Sequence, residues 1–214
     1  MYSPYIYSLM LVNRPKLFDL LMKQFWYRNA LIDWYDSINC NKESVIELGC
    51  GPGALLSHIS QSAGQATGID SSEDMIKFFR KRNPTSAAKT HVANALRADA
   101  FPEKQYNLIL ASSLINVVND RPKLIQNCID HAAQNGFVSF FFPSEKMSRK
   151  NADVFSEKHE LTSLSKQLLS TWASNAKKIQ AEQLVELLPK SVTSSVSVKH
   201  YLDQMASSLT FSVN

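Results

Sequence analysis

The residues best suited to chemistry are three glycines and two acids. Gly49, Gly51 and Gly53 stand in Glu47-Leu48-Gly49-Cys50-Gly51-Pro52-Gly53, and Asp70 closes Gly68-Ile69-Asp70. The chain has only 6 glycines, so half of them fall in one short loop. Glycine costs backbone entropy, so the cluster implies positive φ or close approach of a ligand to the backbone. A Gly-x-Gly turn between a strand and a helix suits a nucleotide, and Gly49-x-Gly51-x-x-Ala54 also satisfies the loose dinucleotide fingerprint.

Glu47 narrows the choice. A carboxylate at the inner end of a buried strand is costly unless something compensates it. A pyrophosphate would add negative charge beside it, whereas a cationic ligand would offset it. Asp70, at the tip of the next strand, can accept hydrogen bonds from both ribose hydroxyls. An adenosine bearing a positive group and no phosphate satisfies both acids, and S-adenosylmethionine is such a molecule.

The elements that must position these residues are legible as apolar runs. Residues 45–48, 66–69, 107–111 and 137–142 are short, unalternating and bounded by turn residues, as expected of strands buried on both faces of a parallel sheet. His91-Val92-Ala93 is a weaker strand between the second and third. Helical spacing separates most of them. Leu55, Leu56 and Ile59 line one helix, Met75, Ile76 and Phe79 the next, with Ser71 expected as its cap and Asp74 as capping-box partner. Pro122 opens a third over Leu124, Ile125 and Cys128. Strands alternating with helices give βαβ units and an open parallel sheet. Residues 14–38 read as helix with a break near Trp26-Tyr27-Arg28, and 152–175 and 179–188 as two further helices. Val196 to Leu202 and Leu209 to Val213 alternate with polar residues, which predicts an antiparallel hairpin at the sheet edge.

These segments match a family. VIELGCGPG (45–53) followed by TGIDSSEDMI (67–76) resembles the first two motifs of class I S-adenosylmethionine-dependent methyltransferases. Asn94-Ala95-Leu96 resembles the family's adenine-contacting Asp-Ala-Leu, and YNLILASSLINVVND (106–120) the fourth-strand motif of its short ubiquinone/menaquinone-methyltransferase-like branch. The resemblance implies a Rossmann-like α/β fold: a mostly parallel seven-stranded sheet with an antiparallel C-terminal strand and helices on both faces. It implies S-adenosyl-L-methionine as cofactor and S-adenosyl-L-homocysteine as product. Gly49, Cys50, Gly51 and Gly53 would line the cofactor, with Cys50 a small filler without chemistry. Glu47 would face its methionine end, Asp70 its ribose, and Ile69 or Ser71 its adenine. Asn94 would reach the adenine amino group and the Ala95 amide its ring, while Ser112 would lie beside the methionine moiety. Asn94 departs from the family's Asp, which leaves Asp99 as an alternative.

The expected organisation is an N-terminal helical cap (1–43), a cofactor-binding core (44–145), a helical segment over the substrate side (146–190) and a C-terminal hairpin (191–214). The expected reaction moves a methyl group to O, N or C of a small molecule. A non-catalytic cofactor-binding subunit and an NAD-dependent oxidoreductase are the alternative readings. No general base is singled out; Asn116, which stands where the branch often has histidine, and His200 and Tyr201 are the weak candidates. His58, His91, His131 and His159 read as surface or helix-face residues. Tyr2, Tyr5, Tyr7, Trp26 and Tyr27 read as packing for the N-terminal helix, with a lid over an aromatic or lipid-like substrate as the sharper option.

Composition sets the outer limits. The net charge of +4 is a mild excess of base, which argues against a dedicated nucleic-acid binder. The basic run Lys77, Arg80, Lys81, Arg82 fits a helix C-terminus. Cys40, Cys50 and Cys128 have neither disulfide nor zinc spacing, so no metal site is expected and a reducing cytoplasm fits. No apolar run is long enough to span a membrane, and the N-terminus lacks the charged region of a signal peptide. Oligomeric state is not readable.

Overall fold

The computed structural model describes residues 4–103, 105–192 and 195–213. Its centre is a seven-stranded sheet in the order β3-β2-β1-β4-β5-β7-β6. The strands are β1 (Ser44–Leu48), β2 (Gln65–Asp70), β3 (Lys89–Val92), β4 (Tyr106–Ser112), β5 (Ala132–Pro143), β6 (Ser197–Tyr201) and β7 (Ala206–Val213). The first five run parallel; β7 pairs antiparallel with both β5 and β6. The chain reverses between β1 and β4, so the tips of these two strands border the crevice in which open α/β sheets bind ligands.

The helices are α1 (Pro4–Val12), α2 (Arg14–Met22), α3 (Phe25–Asp36), α4 (Ala54–Ser62), α5 (Glu73–Arg82), α6 (Arg121–His131), α7 (Arg149–Lys158), α8 (Ser163–Asn175) and α9 (Ala181–Val185). Two apolar clusters cover the two faces of the sheet. Val45, Leu108, Leu110 and Phe141 pack with residues of α3, α4, α7 and α8. Ile46, Leu48, Ile109 and Phe140 pack with α6 and α9. The period-2 alternation of β1 therefore puts Glu47 on the α3–α4 face, beside Val45.

Several boundaries differ from expectation. The N-terminal helix breaks at Lys23-Gln24, before Trp26, because Gln24 is extended (φ −65°, ψ 127°). Trp26 and Tyr27 then begin α3, whose buried face carries Trp34 and Tyr35 into the core. The predicted 152–175 helix is two helices, separated where Glu160 turns to φ 49°. The predicted 179–188 helix is regular only over Ala181–Val185. Ser72, not Ser71, caps α5, its hydroxyl accepting from Met75 N–H. Asp70 holds the turn before it by accepting from Ser72 N–H at 2.8 Å. Tyr2 and the Tyr7 side chain lie outside the described residues, and Tyr5 is 47% exposed.

Candidate functional site

The glycine loop is shaped by three different constraints. Gly49, Gly51 and Gly53 all have positive φ (66°, 53° and 78°). A Cβ on Gly53 would stand 2.0 Å from the Phe79 ring, so packing of α4 on α5 alone demands glycine there. A Cβ on Gly49 would press on Leu114 at 3.2 Å. At Gly51 the nearest neighbour is Met22 Cε at 4.0 Å, so packing leaves room there for a methyl group. Asp70 fixes the loop, accepting from Gly51 N–H at 2.9 Å, and Cys50 N–H donates to the Ile69 carbonyl at 3.0 Å.

Gly49, Gly51, Asp70 and Ser112 line one small cavity of about 170 Å³. Tyr27 and Met22 close it from the N-terminal helices, and Leu114 and Val117 from the loop after β4. A second hollow of about 400 Å³ follows, lined by Ser71, Val92, Ala93, Asn94, Arg97 and Asp99. Asp70 lines the first hollow and its neighbour Ser71 the second. The two hollows thus flank the tip of β2 on neighbouring residues.

Behind the first hollow lies an uncompensated acid. Glu47 is fully buried, and no well-formed hydrogen bond reaches either carboxylate oxygen, the Leu56 N–H being a nearby donor. Burial, then the Asp70 charge, push its pKa well above the usual carboxylate range; the Leu56 N–H offsets part of this. Ser112 Oγ is also buried, without a well-formed hydrogen bond although the Tyr27 hydroxyl interacts with it. Orphaned buried polar atoms are rare; Ser112 lines the hollow, whereas Glu47 lies behind its lining, on β1 next to β4. The Cys50 thiol is buried and pushed up in pKa, first by burial and then by Glu47 and Asp70, so it is a filler and not a nucleophile.

Tyr27 is the functional candidate that sequence reasoning left among packing residues. Its ring is clamped edge-on by Trp172 (4.9 Å), Trp26 (5.7 Å) and Phe141 (6.4 Å). Its hydroxyl lies 3.5 Å from Ser113 Oγ, and Ser113 itself holds φ 53°, unusual for serine. Burial raises the Tyr27 pKa, with the Ser113 and Ser112 hydroxyls opposing. It is therefore a protonated donor at neutral pH. The sequence offers it only within the sharper option of an aromatic lid, because the bend at Gln24 decides which way α3 faces.

The remaining expectations fall in three groups. Ser71 and Asn94 line the second hollow, where Asn94 Oδ1 accepts from Leu96 N–H at 3.0 Å. The Ala95 carbonyl accepts from Asn127, and its N–H has no partner among the described residues. Asp99 is engaged by Arg97 at 2.9 and 2.7 Å, which lowers its pKa. Ile69 is fully buried on the opposite face from Asp70 and lines neither hollow. His200 and Tyr201 lie on β6, three strands from β4, so neither reaches the hollow. His200 Nδ1 pairs with Ser207 at 3.0 Å, and Tyr201 packs on Phe141 at 5.4 Å. Asn116 is buried after β4 with an unpartnered Oδ1, but it is not among the residues lining the hollow.

Residues 45–136 match the family model for a methyltransferase domain. Over that segment, shorter than half of the chain, the protein is similar to methyltransferase domains. A ubiquinone biosynthesis O-methyltransferase of Hydrogenovibrio crunogenus is 24% identical over 115 residues, 53% of this chain and 47% of that protein. A ribosomal protein L11 methyltransferase of Neisseria gonorrhoeae is 31% identical over 87 residues, 40% of this chain and 28% of that one. The chain thus aligns with about half or less of these relatives' lengths. The crystal structure of the N-methyltransferase NodS from Bradyrhizobium japonicum WM9 with S-adenosyl-L-homocysteine superposes with TM-score 0.63 at 16% identity, covering 92% of this chain and 96% of that one. The methyltransferase fold therefore extends well beyond the segment matched by sequence. No described helix is long and apolar enough to cross a membrane.

Proposed function

We propose that the protein binds S-adenosylmethionine across the two hollows and transfers its methyl group to a small-molecule acceptor. One observation carries this reading: the buried Glu47 carboxyl, without a well-formed hydrogen bond, near Asp70 and a glycine turn whose Gly51 lines the first hollow. The residues fit the cofactor. Glu47 would meet its ammonium group, Asp70 its ribose, and Ser112 its methionine end. Ser71, Asn94 and the free Ala95 N–H would meet the adenine. When bound, the cofactor supplies a methyl group already activated by a sulfonium.

The chain's own share is then modest. Asp70 keeps lone pairs beyond the two N–H groups it accepts, so it can orient hydroxyls while still holding the loop. Tyr27, Trp26 and Trp172 form a rigid aromatic wall that excludes water. The Tyr27 hydroxyl and the two serines offer donors to an acceptor or to the cofactor's amino-acid end. No histidine or lysine lines the first hollow among the described residues. An acceptor nucleophilic without strong base assistance suits such a site, where alignment contributes most of the rate. The relatives act on different acceptors by name, so the acceptor atom, O, N or C, stays open.

Thermal unfolding with S-adenosylhomocysteine or NAD tests the cofactor. Ligand at about 100 times its Kd stabilises by about 2.7 kcal/mol. A rise with S-adenosylhomocysteine and none with NAD is expected; the reverse would favour an oxidoreductase. Transfer of radiolabelled methyl to a metabolite panel tests catalysis, and binding without any transfer would favour a non-catalytic subunit.

A further inference from the structure

The largest of the described cavities is not the cofactor path. It is a groove of about 620 Å³ between α7 and α8, sharing no lining residue with the two hollows above. Arg149, Lys166 and Lys178 line it, and the sole acid among them is Asp153. Elsewhere the protein pairs many of its cations: Lys23 with Asp19, Lys77 with Glu73, Arg97 with Asp99, Lys158 with Asp203. The three groove cations have no such partner among the described residues. Helix α8 contains no Asp or Glu at all, and it presents Gln167 and Ser170 to the groove. Residues 146–190 hold eight Lys and Arg against five Asp and Glu, most of the chain's net positive charge.

Three unneutralised cations around a concave floor attract an anion. Arginine and lysine suit a phosphate, the former through two parallel N–H donors. Asp153 argues against a bare polyanion, which it would repel. It calls instead for a ligand with hydroxyl donors near its charged group. Gln167 and Ser170 can each donate to or accept from such hydroxyls. We propose that the α7–α8 groove binds a phosphorylated polyol, with Arg149, Lys166 and Lys178 on the phosphate and Asp153, Gln167 and Ser170 on the hydroxyls. This site stands independently of the cofactor assignment.

Calorimetric titration of the full chain tests it, with glycerol 3-phosphate, ribose 5-phosphate, glucose 6-phosphate, glucose, inorganic phosphate and a short single-stranded RNA as probes. At least one sugar or polyol phosphate is expected to saturate a single site more tightly than phosphate or glucose. Lys166→Gln and Lys178→Gln are each expected to weaken it about tenfold, the loss of one charge-assisted hydrogen bond. Asp153→Asn is expected to narrow its advantage over inorganic phosphate. All three side chains are exposed, so the fold should survive, and an unchanged melting curve checks this. Three results would overturn the proposal. One is no saturable binding of any sugar or polyol phosphate, or binding indifferent to the variants. Another is equal affinity for phosphate alone. The third is RNA outcompeting all of them. S-adenosylhomocysteine binding should be the same in every variant, which separates this test from the cofactor reading.

Discussion

At the tips of β1 and β2 the backbone dictates the residue, while above them the roof of α2, α3 and α8 is held by ring packing. The floor rests on single atoms: a missing Cβ at Gly53, an Asp70 oxygen on Gly51 N–H, a buried Glu47 carboxyl without a well-formed hydrogen bond. Each fixes a residue type, so the floor can be read as a motif. The roof rests on Trp26, Tyr27 and Trp172 in mutual contact, an arrangement that many apolar side chains approximate. A family can therefore keep its cofactor floor while its roof, and with it the acceptor, changes.

The glycines give the largest expected effect and the first way to break this contrast. Gly53→Ala must displace the Phe79 ring and adopt an unfavourable φ, which should cost about 2–4 kcal/mol of stability in urea unfolding. Gly51→Ala meets no neighbour closer than 4.0 Å and should cost only about 1 kcal/mol. It should nonetheless lose most S-adenosylhomocysteine affinity, because its new methyl group occupies the ligand's approach. Equal stability losses for both would mean that the loop is shaped by packing throughout.

Next in size, Asp70→Asn should cost about 1–3 kcal/mol, because two N–H donors lose a charged acceptor, together with nearly all S-adenosylhomocysteine binding. Calorimetry beside urea unfolding separates the two losses. Retained binding would remove Asp70 from the ribose.

Glu47 sharpens the comparison through pH. Its folded pKa is raised above the ordinary 4.5, so the folded protein keeps a proton that the unfolded chain releases. Stability should therefore fall as pH rises from that ordinary value through the folded pKa, then level off. Glu47→Gln should flatten this region and leave the ligand-free protein more stable above it. Urea midpoints from pH ~4.5 to ~8 check the sign; a wild-type profile indistinguishable from the variant's would contradict it. The smallest effect is expected at His200. On an outer strand with Ser207 as its partner, His200→Ala should leave methyl transfer and S-adenosylhomocysteine affinity unchanged. A large loss would mean that the sheet edge reaches the acceptor.

This division also explains what was legible in the sequence. Buried parallel strands show as apolar runs, and glycine spacing marks the turn, so the sheet and the floor could be read before any coordinates. Ile69 misled because period-2 geometry turns it away from Asp70 even though it is adjacent in sequence. Ser71 stood where a cap was expected, but Asp70 already secures that turn, and the cap moved to Ser72. Tyr27 could not be singled out from the other N-terminal aromatics because its direction follows from one extended residue, Gln24, and from contacts with Trp172 far along the chain. His200 looked chemical by type alone; only the strand order sets it apart from the cavity.

The most direct test is a crystal structure with S-adenosylhomocysteine. The expected result has the ribose hydroxyls on the Asp70 carboxylate, the ammonium group directed to Glu47 and the adenine between Ser71 and Asn94. A ligand bound elsewhere, or a Glu47 carboxyl still without a partner in the complex, would contradict the account.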